Sequence, residues 1–229
     1  MSSRIAIVPA RGGSKRIPRK NIRDFCGKPV VAYSIEVALS SNLFDEVMVS
    51  TDDSEIAGIA KHYGATVPFL RSPQTSDDNS GIDEVLIEVL RQYQETGRQF
   101  QQVCCILPTA PLILVSDLEK AFSLLVKGRY DSTFPVVRFS YPIQRALKRD
   151  GEATTMIWPE NYTARSQDLM PAYHDCGQFY WLTTKQFIKY RRVCTDNFGT
   201  IEIPETRAQD MDTDEDWRIC ELKYSIKTQ

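Results

Sequence analysis

The chain has 229 residues, 42% of them hydrophobic and 25% charged, with a formal net charge of -2, enough apolar material for one sizeable α/β core. So balanced a charge gives no global attraction to nucleic acid or to an anionic membrane, and neither is expected as a partner. No apolar run approaches the roughly 18 residues of a membrane span, no signal peptide is visible, and the six cysteines form no CxxC pair that would suggest structural zinc, so a reduced, cytoplasmic protein is expected.

Ile5, Ala6, Ile7 and Val8 read as a buried parallel strand closed by Pro9. Directly after it come Ala10, Arg11, Gly12, Gly13, Ser14 and Lys15, then Arg16, Arg19, Lys20 and Asn21. A glycine-containing loop rich in cations is one way to build a polyphosphate cradle, because glycine lets backbone approach a ligand without Cβ interference. The ordinary P-loop is absent: Gly27-Lys28 is followed by Pro29, and Ile22 stands where its first glycine belongs. The dinucleotide fingerprint also fails, for want of a third glycine. A solvated loop could carry the same cations, but the placement directly after a strand favours a site.

Pro29 suits a first helical turn, with Val31, Ile35, Ala38 and Leu39 at helical spacing. Residues 46–51, EVMVST, predict a second strand; Asp52, Asp53 and Ser54 offer caps for a helix through Ile56, Ile59 and Ala60 that stops at Gly64. The polar stretch 72–81 is a long loop and therefore a functional candidate. A helix over 82–96 follows, then VCCIL as the third strand. Ser116 and Glu119 suggest a capping box for a helix carrying Leu118, Ala121, Leu124 and Leu125. Residues 132–137 give another strand. From about 138 to 175 the pattern changes, with Asp150-Gly151 as a hairpin turn, and this stretch reads as an arm inserted into a single domain spanning 1–229. GQFYWL at 177–182, a helix, TIEIP and a last helix from about Thr213 complete the chain. Alternating strands and helices imply a mostly parallel sheet that binds ligands beyond the carboxyl ends of its strands.

Asp210 and Asp212 form the second signal. In an extended segment residues two apart face the same side, so both carboxylates could reach one hard cation such as Mg²⁺. The neighbouring Asp214, Glu215 and Asp216 suit the start of a helix, and the pair could instead belong to that acidic patch. A triphosphate-binding loop elsewhere in the chain favours the metal.

Taken together, PARGGSKRIPRKNI, GKP, VSTDD, LPTAPL, RSQDL and DMDTDED occur in an order that resembles the cytidylyltransferases that activate nine-carbon nonulosonic acids. The resemblance covers nearly the whole chain. It implies a Rossmann-like nucleotidyltransferase fold with helices on both faces of the sheet, CTP and a 2-keto sugar acid as substrates, Mg²⁺ as cofactor, and a homodimer whose arms complete each other's sites. HDCGQFYW at 174–181 is closer to members acting on pseudaminic acid than to those acting on N-acetylneuraminic acid, which carry an asparagine ahead of the glycine and a glutamine where this chain has Leu107.

By the same resemblance, Arg11, Lys15 and Lys20 hold the triphosphate with the amides of Gly12, Gly13 and Ser14, and Ala10 and Asn21 belong to the same nucleotide site. Arg71, Ser80 and Gly81 lie near cytosine and ribose. Arg11, Lys20, Asp210 and Asp212 carry the catalysis, the two aspartates as metal ligands. Arg165 faces the sugar acid, and His174, Asp175, Gln178 and Tyr180 contact it. Strand alternation would turn Gln178 and Tyr180 toward the ligand and Phe179 and Trp181 toward the core. No separate general base is evident. A nucleotide-binding regulatory protein, or an enzyme for 3-deoxy-manno-octulosonic acid, are the competing readings; RSQDL and HDCGQFYW speak against the latter.

Overall fold

The computed structural model describes residues 3–77 and 80–227. Strand β1 (Arg4–Pro9) is followed by a small hairpin of β2 (Asp24–Phe25) and β3 (Lys28–Pro29) and by helix α1 (Val30–Ser40). Pro29 thus lies in β3 and immediately precedes the helix instead of occupying its first turn. Next come β4 (Glu46–Ser50), α2 (Ser54–His62), α3 (Ile82–Glu95), β5 (Gln102–Ile106), α4 (Val115–Gly128) and β6 (Ser132–Arg138). The chain continues through β7 (Leu147–Asp150), β8 (Ala153–Met156), β9 (Tyr173–Asp175), β10 (Phe179–Thr183), α5 (Thr184–Tyr190), β11 (Phe198–Glu202) and α6 (Asp214–Lys227).

The main sheet runs β4-β1-β5-β10-β6-β11. All of these are mutually parallel except β10, which runs antiparallel between β5 and β6. β9 pairs antiparallel with the far half of β6, so β9 and β10 are two pieces of one antiparallel strand broken at Cys176–Gln178. Gly177 takes a left-handed φ of 60° there, a conformation that glycine adopts without Cβ strain.

Strand alternation decides the layers. Ala6 and Val8 of β1 pack with Val31, Ile56 and Leu118 of α1, α2 and α4 on one face. Ile5 and Ile7 pack with Leu86 and Val89 of α3 and with Phe187 of α5 on the other. Both faces are covered, which is why β1 reads as an unbroken apolar run. A third cluster lies beyond the sheet, where α6 docks Trp217 against Phe25 and Tyr33, and it also contains Ile17 and Met211.

The helix starts follow local side-chain chemistry. Asp53 caps α2, accepting the amides of Glu55 and Ile56. Thr213 and Asp216 cap α6 reciprocally, Thr213 Oγ1 accepting the Asp216 amide and the Asp216 carboxylate accepting the Thr213 amide at 2.8 Å. For α4 the expected Ser116–Glu119 box is not the one used: the helix begins at Val115, so Ser116 already lies in its first turn, and Asp117 accepts the Leu114 amide at 3.1 Å.

Between β6 and β9 the chain leaves the sheet. This stretch carries the β7–β8 hairpin, whose register Asp150↔Ala153 places Gly151 and Glu152 in the turn, one residue later than Asp150-Gly151.

Asp53 also holds Arg19, whose guanidinium Nη2 lies 3.3 Å from its carboxylate. The Arg19 hydrogen bond, aided by the α2 amides, keeps the Asp53 carboxyl below its ordinary range. A depressed carboxyl contributes fully above the ordinary aspartate pKa and loses its contribution as pH falls through the folded value. Asp53→Ala should therefore cost about 1 kcal/mol of stability at neutral pH, the usual worth of an N-cap, and the difference from wild type should shrink on acidification; thermal unfolding across a pH series measures both.

Candidate active site

The loops that follow β1, β4 and β5 emerge at one end of the parallel strands, where such sheets bind ligands. At that end lies a cleft of about 530 Å³ lined by Arg11, Ser14, Lys15, Arg16, Lys20 and Asn21 from the loop after β1, by Arg71, Ser80 and Gly81, and by Leu107 and Thr109 from the loop after β5. Eight of the eleven residues expected to bind the nucleotide thus line one hollow, while Ala10, Gly12 and Gly13 do not.

The basic loop is fixed at several points. The Ala10 amide extends the sheet by donating to the Ser50 carbonyl at 2.9 Å. Asn21 Nδ2 donates to the Arg11 carbonyl at 2.8 Å, and Arg11 Nη1 reaches the Asp77 carbonyl at 2.6 Å, linking the loop to residues 72–77. Asp78 and Asn79, in the same long loop, lie outside the described residues.

Two of the amides expected to face phosphate are already engaged. Gly12 N–H donates to Asp52 Oδ1 at 2.9 Å and Ser14 N–H to the Gly12 carbonyl at 3.2 Å. Gly12 is glycine for a different reason: a Cβ there would lie 2.7 Å from Asp53 Oδ2. Asp52 and Asp53, read from sequence only as helix caps, therefore shape the cradle as well.

Arg71 is buried to 8% exposure beneath the cleft. Its Nη2 donates to the Ser50 carbonyl at 2.6 Å and its Nε to Ser50 Oγ at 3.2 Å. Burial lowers its pKa, with Asp52 and Glu88 opposing. Glu88, itself buried in α3, accepts the Ser72 amide and hydroxyl at 2.9 and 3.0 Å and thereby ties the 72–77 loop to the helix. Ser80 Oγ donates to Asp77 at 2.6 Å, and the Gly81 amide donates to Glu84 at 3.3 Å.

The acidic segment meets this cleft from the other end of the sequence. Arg16 Nη1 lies 2.5 Å and Lys20 Nζ 3.4 Å from the Asp212 carboxylate, and Lys20 also donates to the Met211 carbonyl at 2.5 Å. Asp210 and Asp212 stand outside α6, and the capping role that the acidic patch suggested belongs to Asp216. Asp210 is open to solvent at one edge, yet its surroundings desolvate it and Asp212 adds like charge, so its pKa is raised despite Lys20.

A second hollow of about 360 Å³ lies beside the first, lined by His174, Asp175, Cys176, Glu205, Gln209, Asp210 and Lys223. Gly177 lies between residues of the two: a Cβ there would sit 3.8 Å from Leu107 Cδ1, which lines the first, and 4.0 Å from Asp210 Cγ, which lines the second. Leu107 presents no polar group there: its amide donates to the Gln178 carbonyl at 2.8 Å and its own carbonyl accepts Ser34 Oγ at 2.7 Å.

His174 and Asp175 line the second hollow; Gln178 and Tyr180 do not reach the ligand side as strand alternation suggested. The Tyr180 ring packs in the core against Phe134, and its hydroxyl donates to Asp175 Oδ2 at 2.6 Å, burial driving its pKa upward. Gln178 is 2% exposed and donates through Nε2 to the Arg207 carbonyl at 2.5 Å. Both faces of this strand are covered, so alternation only chooses between two cores. Arg165 is exposed on the stretch between β6 and β9 and lines neither hollow.

Sequence reasoning missed the Arg207–Asp117 ion pair, in which Arg207 Nη2 lies 3.2 Å from Asp117 Oδ1 and Asp117 is almost wholly buried. It also missed Ile17 and Met211, whose signal was present: each is an apolar residue amid charged neighbours.

A model of the family described as Cytidylyltransferase matches residues 5–211. The pseudaminic acid cytidylyltransferase of Campylobacter jejuni is 39% identical over 97% of this chain and 96% of that protein. The CMP-N,N'-diacetyllegionaminic acid synthase of Legionella pneumophila is 31% identical over 95% and 94%. Among solved structures, a CMP:2-keto-3-deoxy-manno-octonic acid synthetase complexed with CTP superposes with a TM-score of 0.73 at 17% identity, covering 99% of this chain and all of that one; at that identity the likeness speaks for the fold.

Gly12→Ala should lower the melting temperature, because Asp53 is pinned by Arg19 and by the α2 amides and cannot yield to a Cβ. Gly13→Ala, whose Cβ would meet nothing within 4 Å, should leave it unaltered; paired thermal melts test the contrast.

Proposed function

The chain belongs to the cytidylyltransferase family, and from that premise we propose that it transfers CMP from CTP to the anomeric hydroxyl of pseudaminic acid, releasing pyrophosphate. The observation that carries the reading is the meeting of the basic loop and the acidic pair through Arg16, Lys20 and Asp212 at one cleft. The substrate choice is supported by the 39% identity to the Campylobacter jejuni enzyme.

In this mechanism the sugar hydroxyl oxygen forms a bond to the α-phosphorus as the bond to pyrophosphate breaks, and the hydroxyl proton is lost to solvent. The protein supplies position and charge. Arg11, Lys15 and Lys20 neutralise the triphosphate and the departing pyrophosphate. Arg71, a cation already desolvated beneath the cleft, and Ser80 with Gly81 border the nucleoside end. The second hollow, with His174 and Asp175, receives the sugar acid, so that its anomeric carbon comes to lie near Asp210.

The residues present fit magnesium. Mg²⁺ is commonly held by one or two carboxylates plus substrate phosphates, and Asp210 and Asp212 gather negative charge in a place where Asp210 is disfavoured as a bare anion. When bound, the ion would offset phosphate charge and polarise the α-phosphoryl oxygen. Arg16 and Lys20, which hold Asp212 here, would then be released toward phosphate.

The stretch between β6 and β9 exposes Phe139, Tyr141, Leu147, Ile157, Trp158, Tyr162 and Met170, and Tyr173 at the start of β9 is exposed beside it. So many apolar side chains on one excursion suit an interface between copies of the chain, and as a dimerisation arm it would carry Arg165 to the partner's sugar-acid carboxylate. We take the working location to be the cytoplasm, where CTP is made. Among the described residues no helix is long and apolar enough to cross a membrane.

Incubation with CTP, Mg²⁺ and pseudaminic acid should release pyrophosphate, and Asp212→Asn should remove most turnover while CTP binding stays measurable. Consumption of N-acetylneuraminic acid with pseudaminic acid left untouched would overturn the substrate choice, and CTP binding without any product would favour a regulatory protein. Sedimentation should give twice the 26.1 kDa of one chain, and the pair Tyr141→Glu with Met170→Glu should return it to a single chain; an unchanged mass would remove the arm from the interface.

A further inference from the structure

We infer that Arg207 and Asp117 are positioning residues for the acidic pair, setting residues 205–212 against the cleft so that Asp210 and Asp212 meet a divalent cation. The inference rests on the assignment of that pair to a cation. Between β11 and α6, among the described residues, the chain forms no named strand pairing, and its regular structure is a single 3-10 turn, Glu205–Arg207. At the near end the Ile203 amide still donates to the Val136 carbonyl at 3.0 Å, and at the far end Met211 is fully buried. Between them the position of the backbone is decided by side chains.

Arg207 does most of this. Its guanidinium forks onto Asp117 in the first turn of α4, and its carbonyl takes the Gln178 amide at 2.5 Å. One residue on, the Ala208 carbonyl accepts Lys223 Nζ from α6 at 2.7 Å. Side chains from three places far apart in sequence thus grip two consecutive residues, and Asp210 follows after Gln209 alone. Gln178 makes this bond although its Oε1 is buried with no partner, an arrangement that stability alone would not favour. A buried ion pair is often matched or bettered in stability by apolar residues of similar volume, whereas it fixes register well. Remote partners that orient metal-binding groups commonly matter by about tenfold to a hundredfold in affinity.

The test uses the full chain with CTP and Mn²⁺ in place of Mg²⁺, reading free Mn²⁺ by electron paramagnetic resonance without sugar acid, so no turnover is needed. Asp210→Asn should abolish the binding that protein adds to Mn²⁺ and CTP alone. Arg207→Gln should weaken it at least about tenfold and Arg207→Lys less, while metal-free CTP binding stays within about twofold. Should Arg207→Gln fail to fold, the double variant Asp117→Leu with Arg207→Met preserves packing without the charges, and the same loss is expected. Wild-type Mn²⁺ affinity in either folded variant would overturn the positioning role and leave the cation assignment standing. Wild-type binding that is absent, or indifferent to Asp210→Asn, would overturn the cation assignment and this inference with it.

Discussion

Ile17 and Met211 are buried in the same apolar cluster, and the site depends on that shared burial. They are nearly two hundred residues apart in sequence, yet each sits in the middle of a charged segment, with Arg16 beside the first and Asp210 and Asp212 around the second. Burying side chains of this size is worth about 1.5–3 kcal/mol each. The Arg16–Asp212 ion pair is exposed on the arginine side, and such pairs contribute about 0–1 kcal/mol. The hydrophobic anchors therefore bring the two ends of the chain together, and the charges that flank them are delivered to the cleft as a result.

The same division of labour recurs around the cleft. Acidic and amide side chains fix the backbone, and basic side chains line the hollow. Asp52 and Asp53 hold the Gly12 amide and Arg19, Glu88 holds the loop at Ser72, and Asn21 holds the Arg11 carbonyl. With the Gly12 and Ser14 amides engaged, a polyanion entering the hollow would meet chiefly the basic side chains that line it. This differs from a phosphate loop in which consecutive N–H groups form the cradle. Binding here should accordingly depend on the placement of Lys15, Arg16 and Lys20, whose stems leave the loop at fixed points.

The architecture was largely legible in the sequence, because hydrophobic runs bounded by glycine, proline and capping residues report covered strands and amphipathic helices directly. The cleft itself was legible for the same reason: a strand followed at once by a cationic, glycine-bearing loop puts those cations at the end of the sheet, where the cleft lies. The failures share a cause. Alternation placed Gln178 and Tyr180 on a ligand face, but a strand sandwiched between two helical layers has no open face. The Ser116 box was displaced because helix starts are set by whichever side chain reaches the free amides, here Asp117. The pairing of Asp117 with Arg207 bridges ninety residues and has no local pattern at all; an acid within the first turn of a helix looks like any other.

Leu107 borders the first hollow near Gly177 with methyl groups alone, its amide being taken by the Gln178 carbonyl and its carbonyl by Ser34 Oγ of α1. A surface of that kind can refuse a molecule that is too large, but it has no unsatisfied donor or acceptor with which to punish one that is merely less polar. Apolar pockets of this sort typically tell near-isosteres apart by only about 10²-fold. Fidelity toward closely similar sugar acids would then be governed by which of them the surrounding metabolism makes, with little proofreading by the wall itself.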